Sequence, residues 1–155
     1  MIITNGNLLD TELTFIVHQV NCQGVMGAGV ARQIKEKFPE AWEQYKADLA
    51  AYGDLNLGSY SRANDNGKII FSIFGQDNYG RDKCYTNYLA LKRGIRKAII
   101  DYRNTYNVRH FVQLVLAVPY GLGCGLGGGE WCKVRGLLED IECEENVVFV
   151  AYKLS

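Results

Sequence analysis

Histidine is scarce in this 155-residue chain: His18 and His110 are the only two, and neither is followed by a second ligand at helical spacing, so no metal-binding pattern can be assembled. Net charge is absent as well. Lys plus Arg and Asp plus Glu both number 17, so no overall field draws the chain to nucleic acid, to a membrane surface or to an acidic partner. Any anionic ligand must then be held by local donors. No apolar run approaches the length of a membrane-spanning helix, and Met1 to Gly6 lacks the pattern of a signal peptide, which leads to the expectation of a cytoplasmic protein with no membrane partner. The five cysteines (Cys22, Cys84, Cys124, Cys132, Cys143) are odd in number and form no Cys-x-x-Cys pair, so they read as reduced thiols. A Gly-x-x-x-x-Gly-Lys-Ser/Thr motif is missing too, which argues against an ordinary nucleoside triphosphatase. With no repeat, linker or low-complexity segment, residues 1–155 are expected to form a single domain, taken as monomeric.

What the chain does have is glycine, 17 in all, gathered mainly in two places. The apolar run Phe15 to Val20 predicts a strand; Gly24, Gly27 and Gly29 follow, and then Val30, Ile34 and Phe38 recur every four residues, the mark of a helix. A strand feeding a glycine turn that opens a helix can cradle phosphate, because the backbone can come close to a ligand and the first N–H groups of the helix are free donors. Near the other end, Phe111 to Val118 predicts a second strand, the stretch from Pro119 to Gly129 a second glycine loop, and Trp131, Val134, Leu137, Leu138 and Ile141 a second helix. In a parallel sheet both loops lie at carboxyl ends of strands, where open α/β sheets bind ligands.

Between them, Pro39 opens a helix that Gly53 ends, Asn64 to Gly67 reads as a tight turn, and Ile69 to Phe74 as a buried strand. Gly75 to Asp82 forms a third loop. Tyr88, Leu91, Ile95, Ala98, Ile99 and Tyr102 mark a long amphipathic helix whose Lys92, Arg93, Arg96 and Lys97 are read as a solvated face. Val147 to Tyr152 is a last strand. The order predicts a three-layer α/β/α sandwich around a mixed, mostly parallel sheet.

Among chemically competent residues, Gly123-x-Gly125-x-x-Gly128 spells the dinucleotide fingerprint but lacks the following strand with its acidic end. His18 lies three residues before Asn21 at the entry to the first glycine loop, where an imidazole can exchange a proton near neutrality; the competing reading is a histidine packed in the sheet. Cys22 and Cys124 each sit in a glycine loop, either as nucleophiles at a helix terminus or, the reading preferred here, as small buried thiols.

These stretches resemble the macro domain family over nearly the whole chain. Asn5 to Leu9 looks like that family's Gly-Asp/Asn-Ile-Leu turn, Val20 to Val30 like its first ligand loop, and Pro119 to Trp131 like its second. His18-x-x-Asn21-Cys22-x-Gly24 with Gly27-x-Gly29 and Phe38-Pro39 is similar to the yeast-type ADP-ribose 1''-phosphate phosphatases. Gly123 to Leu126 with Trp131 is similar to the terminal ADP-ribose glycohydrolase group and its bacterial antitoxin relatives.

The resemblance implies an ADP-ribose cleft. Gly24, Met26, Gly27, Gly29 and Val30 from one loop, with Gly121, Gly123, Cys124, Gly125, Leu126 and Gly127 from the other, would wrap the diphosphate. Asn7 and Leu8 would meet the adenine, Tyr152 would flank it, and Asn21 would bond the distal ribose. His18 is implied as the catalytic group, with Asp77 or Asp82 as acidic helpers. The lysine and aspartate that carry the terminal glycohydrolase chemistry fall at about Gly75 or Gln76 and at Gly127. The second asparagine and the acid of another hydrolase branch fall at Gly24 and Ala31. The implied function is therefore hydrolysis of ADP-ribose 1''-phosphate, with no cofactor and no metal. The alternatives are a non-catalytic ADP-ribose reader and a hydrolase that removes ADP-ribose from protein or nucleic acid.

Overall fold

A computed structural model describes residues 1–154. Six strands, β1 (Ile2–Asn5), β2 (Phe15–Val20), β3 (Tyr60–Asp65), β4 (Lys68–Phe74), β5 (Leu114–Pro119) and β6 (Val147–Lys153), form one sheet in the order β1-β6-β5-β2-β4-β3. Only β3 and β4 pair antiparallel. They are joined through Asn66 and Gly67, both at positive φ as a two-residue hairpin turn requires. The helices are α1 (Gly29–Lys37), α2 (Pro39–Tyr52), α3 (Tyr88–Tyr106) and α4 (Trp131–Glu145). Among the described residues no helix is long and apolar enough to cross a membrane.

Strand alternation divides the core. Val17, Phe71, Leu116 and Phe149 point to one side and pack on Leu91, Ile95, Val134 and Leu138 of α3 and α4; Ile16, Ile70 and Ala117 point to the other and pack on Ile34 of α1, Ala41 of α2 and Phe38 between those helices. Each buried Val, Leu, Ile or Phe among these contributes about 1.5–3 kcal/mol. The sandwich is thus the three-layer mixed sheet expected from the strand and helix order. Gly94 lets α3 ride directly on the sheet, since a Cβ there would lie 2.6 Å from Ile73 Cγ2 and 2.8 Å from the Ser59 carbonyl oxygen.

Two expectations are corrected. The strand predicted from Phe111 starts at Leu114; Phe111 is 81% exposed in a turn. The cause is Arg103, whose buried guanidinium donates to the carbonyls of Arg109, Val112 and Glu145 and so bends this segment around itself. Nor is the basic row of α3 merely solvated. Lys92 pairs with Asp140 and Glu144, and Arg96 with Glu144 and Glu145, so these two charges tie α3 to α4.

Topology sets where a ligand can sit. The chain leaving β2 passes through α1 and α2 towards the β4-β3 half of the sheet, while the chain leaving β5 passes through α4 towards the β6-β1 half. Adjacent strands whose connections diverge open a crevice at their carboxyl ends.

Candidate functional site

A cleft of about 630 Å³ opens at that point, lined on one side by Val25 and residues 27–31 and on the other by residues 119–127. Its floor comes from the end of β2, residues 18–21, with Gln76 and Tyr79 from the loop after β4. No lining side chain is an acid, a lysine or an arginine.

Backbone donors take their place. Helix α1 begins behind Ala28 with no side-chain cap, so the N–H groups of Gly29, Val30 and Ala31 have no partner in the helix, and its dipole adds positive potential at the same end. In the second loop, internal turns consume the N–H groups of Leu122, Cys124, Gly128 and Gly129. Those of Gly123, Gly125, Leu126 and Gly127 find no acceptor among the described residues. Two runs of open amides therefore line opposite sides of one crevice, an arrangement suited to a diphosphate. Val25, Val30, Leu122, Leu126 and the rings of Tyr79 and Tyr120 supply apolar wall.

Each loop is held from below. The Tyr45 hydroxyl of α2 sits beneath the first, within hydrogen-bond reach of Asn21, Gly24 and Val25. Beneath the second, Gln19 Nε2 donates to Gln76 Oε1 at 2.6 Å and to Thr86 Oγ1 at 2.9 Å, and the Thr86 hydroxyl donates to the Gly123 carbonyl at 2.7 Å. The N–H groups of Tyr85 and Thr86 both donate to the Gly127 carbonyl. Sequence reading missed Tyr45, Gln19 and Thr86. For Gln19 a signal existed: it is a polar residue in an otherwise apolar strand, next to His18.

Of the residues singled out from sequence, the structure brings His18, Asn21, Gly27, Gly29, Val30, Gly121, Gly123, Cys124, Gly125, Leu126 and Gly127 to the cleft. Six are placed elsewhere. Leu8 and Met26 are buried in the core; Gly24 gives its N–H to Tyr45; and Asn7 accepts from Leu9 N–H to cap a turn. Tyr152 bonds Thr11 through its hydroxyl and packs on the α1 and α2 side of the core; it borders the cleft through its main-chain bond to Tyr120 but is not among the lining residues. Asp77 joins the site only through its main chain, its carbonyl accepting from Cys22 N–H at 2.9 Å, and its carboxylate is no part of the lining. The second suggested acid, Asp82, is exposed and bonded to the Tyr85 hydroxyl. Within this loop Gly24 and Gly29 take positive φ, a conformation that favours glycine, and Gly27 does not.

The proton-transfer role expected of His18 is also corrected. The residue is 1% exposed, its Nε2 lies 2.7 Å from Ser72 Oγ, and burial lowers its pKa to about 3. It is neutral near pH 7 and sealed in the floor, so it brings no acidic proton to the cleft. Burial raises Cys22 and Cys124 to about 11, which leaves both as thiols and removes the thiolate-nucleophile alternative.

Comparison with known proteins gives a consistent family. The chain is 26% identical to an ADP-ribose 1''-phosphate phosphatase of Saccharomyces cerevisiae, over 96% of each protein. It is 43% identical over 142 residues to a DNA ADP-ribosyl glycohydrolase of Mycobacterium tuberculosis, matching 89% of this chain and 35% of that protein, so it spans about a third of that relative's length. Among solved structures, the macrodomain of Mycobacterium tuberculosis DarG superposes with a TM-score of 0.73 at 26% identity, covering 97% of both chains. No family model matches the sequence.

Proposed function

We propose that this chain, a macrodomain by its fold and its relatives, binds ADP-ribose in the crevice between β2 and β5 and hydrolyses the bond at C1'' of the distal ribose. The observation that carries the reading is the pair of open amide groups, at residues 29–31 and at 123 and 125–127, on a cleft with no charged side chain. A diphosphate held this way needs no net positive protein, which accords with 17 charges of each sign. In this reading Asn21, which follows β2 and lines the cleft, is the residue assigned to the distal ribose.

Hydrolysis at such a site depends on main-chain donors that stabilise developing negative charge, since the lining carries no side chain that ionises near neutrality. The leading substrate is ADP-ribose 1''-phosphate, the compound for which a relative matching end to end is named. A second reading, removal of ADP-ribose from DNA, is favoured by the 43% identity to the glycohydrolase.

One experiment separates them. The protein is incubated in parallel with ADP-ribose 1''-phosphate and with ADP-ribosylated DNA and protein, and release of phosphate or ADP-ribose is followed. Phosphate release supports the leading reading, and ADP-ribose from DNA alone supports the second. Tight ADP-ribose binding without turnover of any conjugate would make the domain a reader, and no binding at millimolar ADP-ribose would remove the proposal.

A further inference from the structure

We infer that Tyr45, which contributes nothing to the cleft lining, is a positioning residue that makes Asn21 a donor-only reader of the distal ribose; this rests on the ADP-ribose reading given above. Tyr45 comes from the middle of α2, fully buried, with its ring stacked on Phe74 at 5.6 Å and tilted against Trp42 at 5.8 Å. Its oxygen lies 3.1 Å from Gly24 N, 3.2 Å from Val25 N, 2.8 Å from the Asn21 carbonyl and 2.9 Å from Asn21 Oδ1. A phenol has one proton and two lone pairs, so the assignment follows. The oxygen accepts from the two main-chain N–H groups, and its proton is shared between the two Asn21 oxygens.

That settles the Asn21 amide. Oδ1 also accepts from Gln23 N–H at 2.9 Å, and Nδ2 donates to the Val25 carbonyl at 2.9 Å. Turned by 180°, the amide would set its NH2 against the Gln23 N–H and its oxygen against the Val25 carbonyl, two repulsive contacts in place of two bonds. Tyr45 adds a third reason against the turn by donating to Oδ1. Both acceptor sites of Oδ1 are then spent inside the loop, and one Nδ2 proton remains for the cleft that Asn21 lines. Asn21 meets a ligand as a donor, so it recognises an acceptor oxygen such as that of a ribose hydroxyl. Burial pushes the Tyr45 phenol up to about 12, which keeps its proton in place across the physiological range.

Affinity for ADP-ribose and for ADP, which lacks the distal ribose, tests this by calorimetry. Tyr45→Phe keeps the ring and removes only the oxygen; it should weaken ADP-ribose about tenfold and ADP by less than about twofold. Asn21→Ala, which removes the donor without adding charge to an anion site, should reproduce that selective loss. Because Tyr45 acts through Asn21, the double variant should bind ADP-ribose no more weakly than Asn21→Ala alone. Equal losses for the two ligands, or single effects that multiply in the double variant, would overturn the inference and leave Tyr45 as plain structural support. Should Tyr45→Phe fail to fold, the wild-type Asn21 side-chain resonances decide. One Nδ2 proton should be protected and the other shift with ADP-ribose but not ADP, and two protons responding alike would overturn it. If the protein binds neither nucleotide, the ADP-ribose reading falls first and this inference with it.

Discussion

The first glycine loop is held by a side chain and the second by main chain. Loop one rests mainly on the Tyr45 hydroxyl and the Asn21 amide, with one main-chain bond from Cys22 N–H to the Asp77 carbonyl. Loop two closes on itself through four backbone bonds and is pinned from beneath by Thr86, whose hydroxyl and N–H reach the Gly123 and Gly127 carbonyls. Similar local chemistry, glycine between a strand and a helix, is thus stabilised by two different means. A change at the distant Tyr45 hydroxyl disturbs the Asn21 end of loop one and leaves the core and the amides at the start of α1 in place, whereas a loop built from turns is sensitive to volume at its crossing points.

The sharpest way to break the comparison is to add a methyl group where loop two crosses itself. A Cβ on Gly127 would lie 2.5 Å from Thr86 Oγ1 and 2.7 Å from the Gly123 carbonyl. Gly127→Ala should therefore lower unfolding stability by about 1–3 kcal/mol and weaken ADP-ribose binding on the order of a hundredfold, as denaturant titration and calorimetry will report.

The floor beneath loop one is tested by pH rather than by volume. His18 titrates near 6.5 when unfolded and near 3 when folded, so between those values the unfolded chain binds the extra proton and stability falls as pH falls. From this residue, urea unfolding between about pH 6.5 and 3 should show a loss of up to about 1.4 kcal/mol per pH unit, and His18→Asn should flatten the profile. An unchanged slope in the variant would show that the imidazole is not buried neutral.

Removing only the pin of loop two has a smaller effect. Thr86→Val keeps the shape but leaves the Gly123 carbonyl without its hydroxyl partner, which costs about 1–2 kcal/mol and should reduce ADP-ribose affinity roughly fivefold. Smallest of all is Gly125→Ala. Nothing lies within 4 Å of the added methyl and φ there is not positive, so folding should change by less than about 0.5 kcal/mol. Thermal scans of the two alanine variants side by side, Gly125→Ala and Gly127→Ala, would show whether glycine is needed along loop two in general or only at its crossing.

Much of the architecture was legible in advance because it depends on short-range patterns. The apolar run from Phe15 to Val20, four-residue spacing from Val30 to Phe38 and the glycine clusters all act over a few residues, and they yielded the strand-loop-helix units and the layered sheet. The misplaced start of β5 shows where such patterns fail. Phe111 and Val112 look like strand, but Arg103 takes the carbonyls of Arg109 and Val112 into a turn. The supports of the site were illegible for the same reason. Tyr45 is 24 residues from Asn21, Thr86 is 67 from Gln19, and nothing in either neighbourhood announces the partner.

By itself the sequence determined the kinds of local unit and their order, because backbone freedom at glycine and the period of apolar side chains are properties of adjacent residues. Only the tertiary structure decided what the polar groups do. Whether His18 carries a proton depends on how completely water is excluded around it, and which hydrogen of Asn21 is left for a ligand depends on a hydroxyl brought in by another helix. Desolvation and hydrogen-bond pairing act between parts of the chain that meet only on folding.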